Sequence, residues 1–118
     1  MDKKLTILLV DDHPGILNGL AKKLVREGYF VEAYQKGDEA YQAIKEGLKY
    51  DIALIDRSLE YGRTSGDELM TLSRVINPKT KVVCISGYDT KPPQANLLLA
   101  KPFAPSEMLE LINRECRD

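Results

Sequence analysis

The sequence predicts an α/β fold, a five-stranded parallel sheet flanked by helices. Apolar runs of strand length alternate with stretches of helical period, the pattern of stacked βαβ units. The first, third and fourth apolar runs are apolar at successive positions rather than at every second one, so both sheet faces should be covered. Three of the five runs stop abruptly at charge: residues 5–10 at Asp11-Asp12, residues 52–55 at Asp56, and residues 97–100 at Lys101-Pro102. Parallel neighbours would bring those charges to one edge, where open α/β sheets hold ligands.

The first strand is residues 5–10. Ile16, Leu20 and Leu24 then recur every four residues and predict a helix over 14–27, with Pro14 in its first turn and Gly28 past its end. Residues 29–34, aromatic and β-branched, form the second strand. Ala40, Ile44 and Leu48 mark the second helix, with Asp38 as its cap and Gly47 near its end. Residues 52–55 are the third strand, with Asp51 a structural residue at its start. A polar loop with Gly62 follows over 57–65. A third helix over 67–76 stops at Asn77-Pro78. Residues 81–85 and 97–100 are the last strands, and Pro105-Ser106-Glu107 opens a last helix carrying Met108, Leu109, Leu111 and Ile112. Between those strands, residues 87–96 contain Pro92-Pro93, which leaves room for one helical turn at most.

With 118 residues the chain is expected to be one domain, residues 1–118, able to bury about two-thirds of its unfolded surface. Seventeen basic against eighteen acidic residues give a net charge of −1, which supplies neither a nucleic-acid footprint nor a polybasic membrane patch. No apolar run approaches the roughly 20 residues of a membrane span, and the short run after Lys3-Lys4 meets two acids, which argues against a signal peptide. Cys84 lies in an apolar run and reads as a buried hydrophobe. Two cysteines and one histidine assemble no zinc pattern, and a reducing, cytoplasmic setting is expected. His13 reads as a solvated loop residue.

Acids that converge at one sheet edge repel one another unless a cation sits among them. Asp11, Asp12 and Asp56 provide oxygen ligands of the kind Mg²⁺ takes, open to a phosphoryl group. A carboxylate can itself attack phosphorus to give an aspartyl phosphate. Such a transfer needs charge neutralisation and in-line positioning more than acid–base chemistry. Lys101 would supply a cation and Ser86 a hydroxyl, with Gly87 leaving the approach open.

These residues resemble the receiver domains of two-component response regulators. The resemblance rests on Leu8-Leu9-Val10-Asp11-Asp12, the run from Tyr50 to Asp56, Ile85-Ser86-Gly87-Tyr88 and Lys101-Pro102-Phe103, and spans essentially the whole chain. It implies a flavodoxin-like fold of strand order 2-1-3-4-5. It also implies phosphorylation of Asp56 by a histidine kinase or histidine phosphotransfer protein. Asp11, Asp12, Asp56 and the Ser58 backbone carbonyl would hold Mg²⁺. Ser86 and Lys101 would bind the phosphoryl oxygens, with Ser86 turning inward to report phosphorylation. Such a domain is no enzyme in the usual sense, because it catalyses only its own phosphorylation and dephosphorylation. Ser58 and Tyr88 flank the site and would shape water access. The last helix is a candidate surface for a homodimer or a kinase contact, and no effector follows from the resemblance.

Three departures stand out. The aromatic switch residue that such receivers carry a few positions before the lysine is here Leu98. The helix before the fifth strand, the fourth in such receivers, is shortened or absent. The loop after Asp56 is longer than usual and lacks the common proline. A small aspartate-nucleophile phosphatase would want an acid two residues after Asp11, where His13 stands, and a flavin module would want a phosphate loop where Asp11-Asp12 would repel it. A receiver-fold interaction module that is rarely phosphorylated is the third alternative.

Overall fold

The computed structural model describes residues 4–59 and 62–117. Strands β1 (Thr6–Val10), β2 (Phe30–Tyr34), β3 (Ile52–Asp56), β4 (Lys81–Ser86) and β5 (Leu97–Ala100) alternate with helices α1 (Pro14–Arg26), α2 (Gly37–Lys45), α3 (Gly66–Ile76) and α4 (Pro105–Glu115). The strands form one sheet in the order β2-β1-β3-β4-β5, every pair parallel. Class and strand order match the expectation. In register, Val10 lies opposite Ile55, Asp56 opposite Ile85, and Ser86 opposite Ala100. The residues that leave β1, β3, β4 and β5 therefore emerge along one edge.

Strand side chains alternate between faces, so each central strand feeds two cores. Ile7, Leu9, Ile52, Leu54, Val83 and Ile85 pack with Leu17, Leu20 and Leu24 of α1 and Met108, Leu109 and Ile112 of α4. Leu8, Val10, Ala53, Ile55, Val82 and Cys84 pack with Ala40 and Ile44 of α2 and Leu69 and Met70 of α3. Cys84 is fully buried, as expected. At the opposite end of the sheet, Asp51 ties three strand starts together. Its Oδ2 accepts from the Thr6 amide at 2.9 Å, its own amide donates to the Thr6 carbonyl, and its carbonyl accepts from the Lys81 amide.

The structure corrects two local expectations. The buried stripe of α1 is Leu17, Leu20 and Leu24, while Ile16 is 45% exposed. Spacings of three and four follow the 3.6-residue turn, whereas a strict repeat of four drifts off the core face. Asp38 does not cap α2. Lys36 holds that position and Asp38 lies in the first turn, where its carboxylate accepts instead from the Arg63 and Thr64 amides. The cap with a reciprocal bond belongs to α3: the Ser65 hydroxyl accepts from the Glu68 amide and the Glu68 carboxylate accepts from the Ser65 amide.

No helix joins β4 to β5. Residues 87–96 run as turns, and Asn96 completes the strand start by accepting from the Val82 amide at 2.8 Å. Leu98, at the place of the usual aromatic, is half-buried against the α2/α3 core. Among the described residues no helix is long and apolar enough to cross a membrane.

The corrected stripe is open to test by chemical denaturation. Leu24→Ala should cost about 2–4 kcal/mol of stability, through lost transfer energy and a cavity. Ile16→Ala, at a half-exposed position, should cost less than about 1 kcal/mol.

Candidate functional site

Asp11, Asp56, Ser86 and Lys101 gather at the carboxyl ends of the strands because the parallel register leaves them there. Asp11 and Asp56 are each 1% exposed, Asp12 6% and Ser86 1%. Carboxylates so deeply placed need partners. Asp56 has two: Lys101 Nζ donates to its Oδ2 at 2.8 Å, and the Ser58 amide donates to its Oδ1 at 2.8 Å. Both carboxylate oxygens are thereby fixed.

Asp11 is only half-satisfied. Its Oδ1 accepts from the His13 amide at 2.9 Å, but the buried Oδ2 has no hydrogen-bond donor among the described residues. Burial pushes the Asp11 carboxyl above its usual value, and the negative charge of Asp56 pushes the same way. The His13 amide and Lys101 oppose this without overcoming it. Asp12 lies beside it, with the exposed His13 ring 3.5 Å from one of its oxygens. Asp11, Asp12 and His13 place one ligand atom each within 4.8 Å of one another. An oxygen-rich donor set with an unsatisfied buried oxygen fits a hard divalent cation.

The hydroxyl of Ser86 accepts from the Tyr88 amide at 3.0 Å, and the Ser86 carbonyl accepts from the Lys101 amide at 2.8 Å. The Lys101-Pro102 peptide bond is cis. Tyr88 is 73% exposed beside the site. The sequence-expected residues Asp11, Asp12, Asp56, Ser86 and Lys101 therefore do share one edge, with Ser58 brought to Asp56 through its amide. His13 is solvent-exposed as expected, yet it joins the cluster of ligand atoms.

Residues 7–113 match the response regulator receiver domain family. The chain belongs to that family. It is a receiver domain of a response regulator in two-component signalling. The response regulator receiver protein CpdR of Brucella abortus is 28% identical over 114 residues, covering 91% of this chain and 90% of that protein. The transcriptional regulatory protein CreB of Escherichia coli is 27% identical, covering 87% of this chain but 47% of its own length. A CheY-like receiver domain protein of Methanospirillum hungatei superposes with a TM-score of 0.83 at 27% identity, covering 97% of this chain and 94% of that one. The response regulator TrrA of Thermotoga maritima, solved in complex with Mg²⁺ and BeF, superposes with a TM-score of 0.80 at 27% identity, covering 95% and 98%.

Two contacts of the connection between β3 and α3 were missed at the sequence level. Asp38 holds residues 63 and 64. The backbone at Gly66 lies so close to Asp56 that an added Cβ would sit 2.4 Å from the Asp56 carbonyl oxygen. The Ser65-x-x-Glu68 spacing was a usable sign of where α3 starts.

The charge state of Asp11 has a measurable consequence. Its folded pKa lies above its unfolded value, so the ionised form costs stability as pH rises through the folded pKa, and the cost vanishes below the unfolded pKa. In EDTA at pH 7, Asp11→Asn should raise Tm by about 2–5 °C, and the gain should disappear below about pH 4. Thermal unfolding followed by circular dichroism checks both; a lower Tm at pH 7 would show that Asp11 is not a strained carboxylate.

Proposed function

We propose that this receiver takes a phosphoryl group from a phosphohistidine of a histidine kinase or histidine phosphotransfer protein onto Asp56, in a Mg²⁺-dependent reaction that then alters partner binding. The supporting observation is the setting of Asp56: a buried carboxylate with each oxygen held at 2.8 Å, beside a second buried carboxylate that has an unsatisfied oxygen. An Asp56 oxygen attacks phosphorus, an O–P bond forms, the N–P bond breaks, and the electron pair stays on the imidazole nitrogen. Residues Asp11, Asp12 and Asp56, with the Ser58 carbonyl, would hold the metal, which when bound neutralises phosphoryl oxygens. Lys101 and Ser86 bind the remaining phosphoryl oxygens, Lys101 by exchanging its Asp56 contact for the incoming anion. Later hydrolysis by water resets the site, so the chemistry is confined to the domain itself. Residues 1–118 act as one such module in the cytoplasm.

A docking place for the donor adjoins the site. A cleft of about 470 Å³ runs from Asp11 and Lys101 past Gly15, Ile16 and Gly19 of α1 to Pro102 and Phe103. Gly15 and Gly19 are four apart with open space above them, which leaves a shallow channel for a helix that carries the donor histidine. The exposed Ile16 supplies apolar contact there.

Incubation with acetyl phosphate and Mg²⁺, followed by intact mass measurement, should show one added phosphoryl group in the wild type and none in Asp56→Asn. An unmodified wild type would favour the interaction-module reading, and substrate turnover surviving Asp56→Asn would favour a hydrolase. Gly19→Leu, whose Cβ would meet no neighbouring atom and whose side chain would occupy the channel, should slow labelling by a phosphorylated kinase or phosphotransfer protein about tenfold or more while leaving acetyl phosphate labelling unchanged. Equal loss with both donors would show that the cleft is not the docking place.

A further inference from the structure

The connection from β3 to α3 is clamped at three places, and two of them lie on the first turn of α2. At its base, the close approach of Gly66 to Asp56 and Arg57 leaves no room for a side chain: a Cβ there would lie 2.4 Å from the Asp56 carbonyl oxygen and 2.8 Å from the Arg57 Cα. Gly37, the first residue of α2, sits under both limbs of the connection. A Cβ on it would lie 2.6 Å from the Thr64 carbonyl oxygen and 3.1 Å from a methyl of Leu59. Asp38, the next residue, grips the returning limb. One of its carboxylate oxygens accepts from the Thr64 amide at 2.8 Å and from the Arg63 amide at 3.1 Å; the other accepts from Arg63 at 3.2 Å. Gly62 fits only as glycine, because its φ is +92° and a Cβ would approach the Asp38 carboxylate to 2.8 Å. The Thr64 hydroxyl and amide, helped by the Arg63 amide and charge, hold the Asp38 carboxyl below its usual range against the opposing effect of burial.

Ser58 lies between two of these fixed points, the Asp56–Arg57 backbone and Leu59. Its amide is the donor that fixes Asp56 Oδ1, and its carbonyl is the backbone ligand of the proposed metal site. We infer that Asp38 is a positioning residue for the chemistry at Asp56: from α2 it holds residues 63 and 64 beside Gly66, and Gly66 abuts the Asp56–Arg57 backbone that presents Ser58 to the site. The inference rests on the function proposed above. Asp38 never touches the reacting atoms. Because it is exposed and outside both cores, its removal perturbs the loop while the packed interior keeps its contacts.

The test compares wild type, Asp38→Ala and Asp38→Asn for the Mg²⁺ concentration that half-saturates labelling by acetyl phosphate, the half-life of the phosphorylated form, and Tm. A titration of the unphosphorylated protein with Mg²⁺ by amide NMR runs alongside. Asp38→Ala should raise the half-saturating Mg²⁺ about tenfold, shift the Arg57 and Ser58 amide signals, and change the phosphoryl half-life by at least about threefold, with little change in Tm. Asp38→Asn, which keeps an acceptor oxygen for the Thr64 amide, should recover most of each effect; a role confined to the charge would give no recovery. Asp38→Ala labelled with wild-type Mg²⁺ dependence and half-life would overturn the positioning role and leave Asp56 as the acceptor. Failure of the wild type to label, with no shift of Asp56 and Ser58 on Mg²⁺ titration, would overturn both.

Discussion

Crowding of buried carboxylates at the end of one parallel sheet is the constraint on which the rest of the molecule turns. Asp11 and Asp56 are almost wholly withdrawn from water, and the charge of Asp56 adds to burial in raising the cost of charging Asp11. A sheet assembled for stability alone would place apolar or singly paired groups there. Lys101 relieves Asp56, and the His13 amide relieves half of Asp11, but one carboxylate oxygen keeps no donor. That imbalance suits the Mg²⁺-dependent phosphoryl transfer proposed for the site, because carboxylates short of positive charge favour a cation among them.

The crowding cannot relax by moving the strands. β3 is buried along its whole length between two cores, and a slip of one residue would send every side chain of the strand to the wrong face. Packing energy of the interior thus holds the charges in place. Around this rigid edge the loops are adjustable, and here they are fastened individually: Ser58 to Asp56, Ser86 to the Tyr88 amide, and the β3–α3 connection to α2. Rigid strands fix where the acids lie, while fastened loops determine what the acids meet.

The face opposite the cleft beside α1 is reduced. Turns take the place of a helix between β4 and β5, and Leu98 fills the aromatic position with a side chain that has no ring to rotate. The Ser86 hydroxyl keeps a local partner, the Tyr88 amide. Tyr88 itself is exposed beside the site.

The fold class, the five strands, the strand-end placement of Asp11, Asp12, Asp56, Ser86 and Lys101, and the missing crossover helix were all legible in the sequence. Each follows from local composition: continuous apolar runs stop at charge, and Pro92-Pro93 excludes a helix. What composition could not supply was contact between distant segments. Ile16 rather than Leu17 was read into the α1 core, because a repeat of four mimics a helical stripe over one or two turns and only packing separates them. Asp38 was read as a cap, since a short acid beside a helix start usually finds that helix's own amides; it found the amides of a loop 25 and 26 residues away. The half-satisfied state of Asp11 also depends on which groups the tertiary fold lets approach it. Residue type sets charge and local pattern sets the strand ends, so the chemistry this edge can hold was already legible along the chain. Which carboxylate oxygens find donors and which loop is clamped depend on distances between segments far apart in the chain, and these are set on folding.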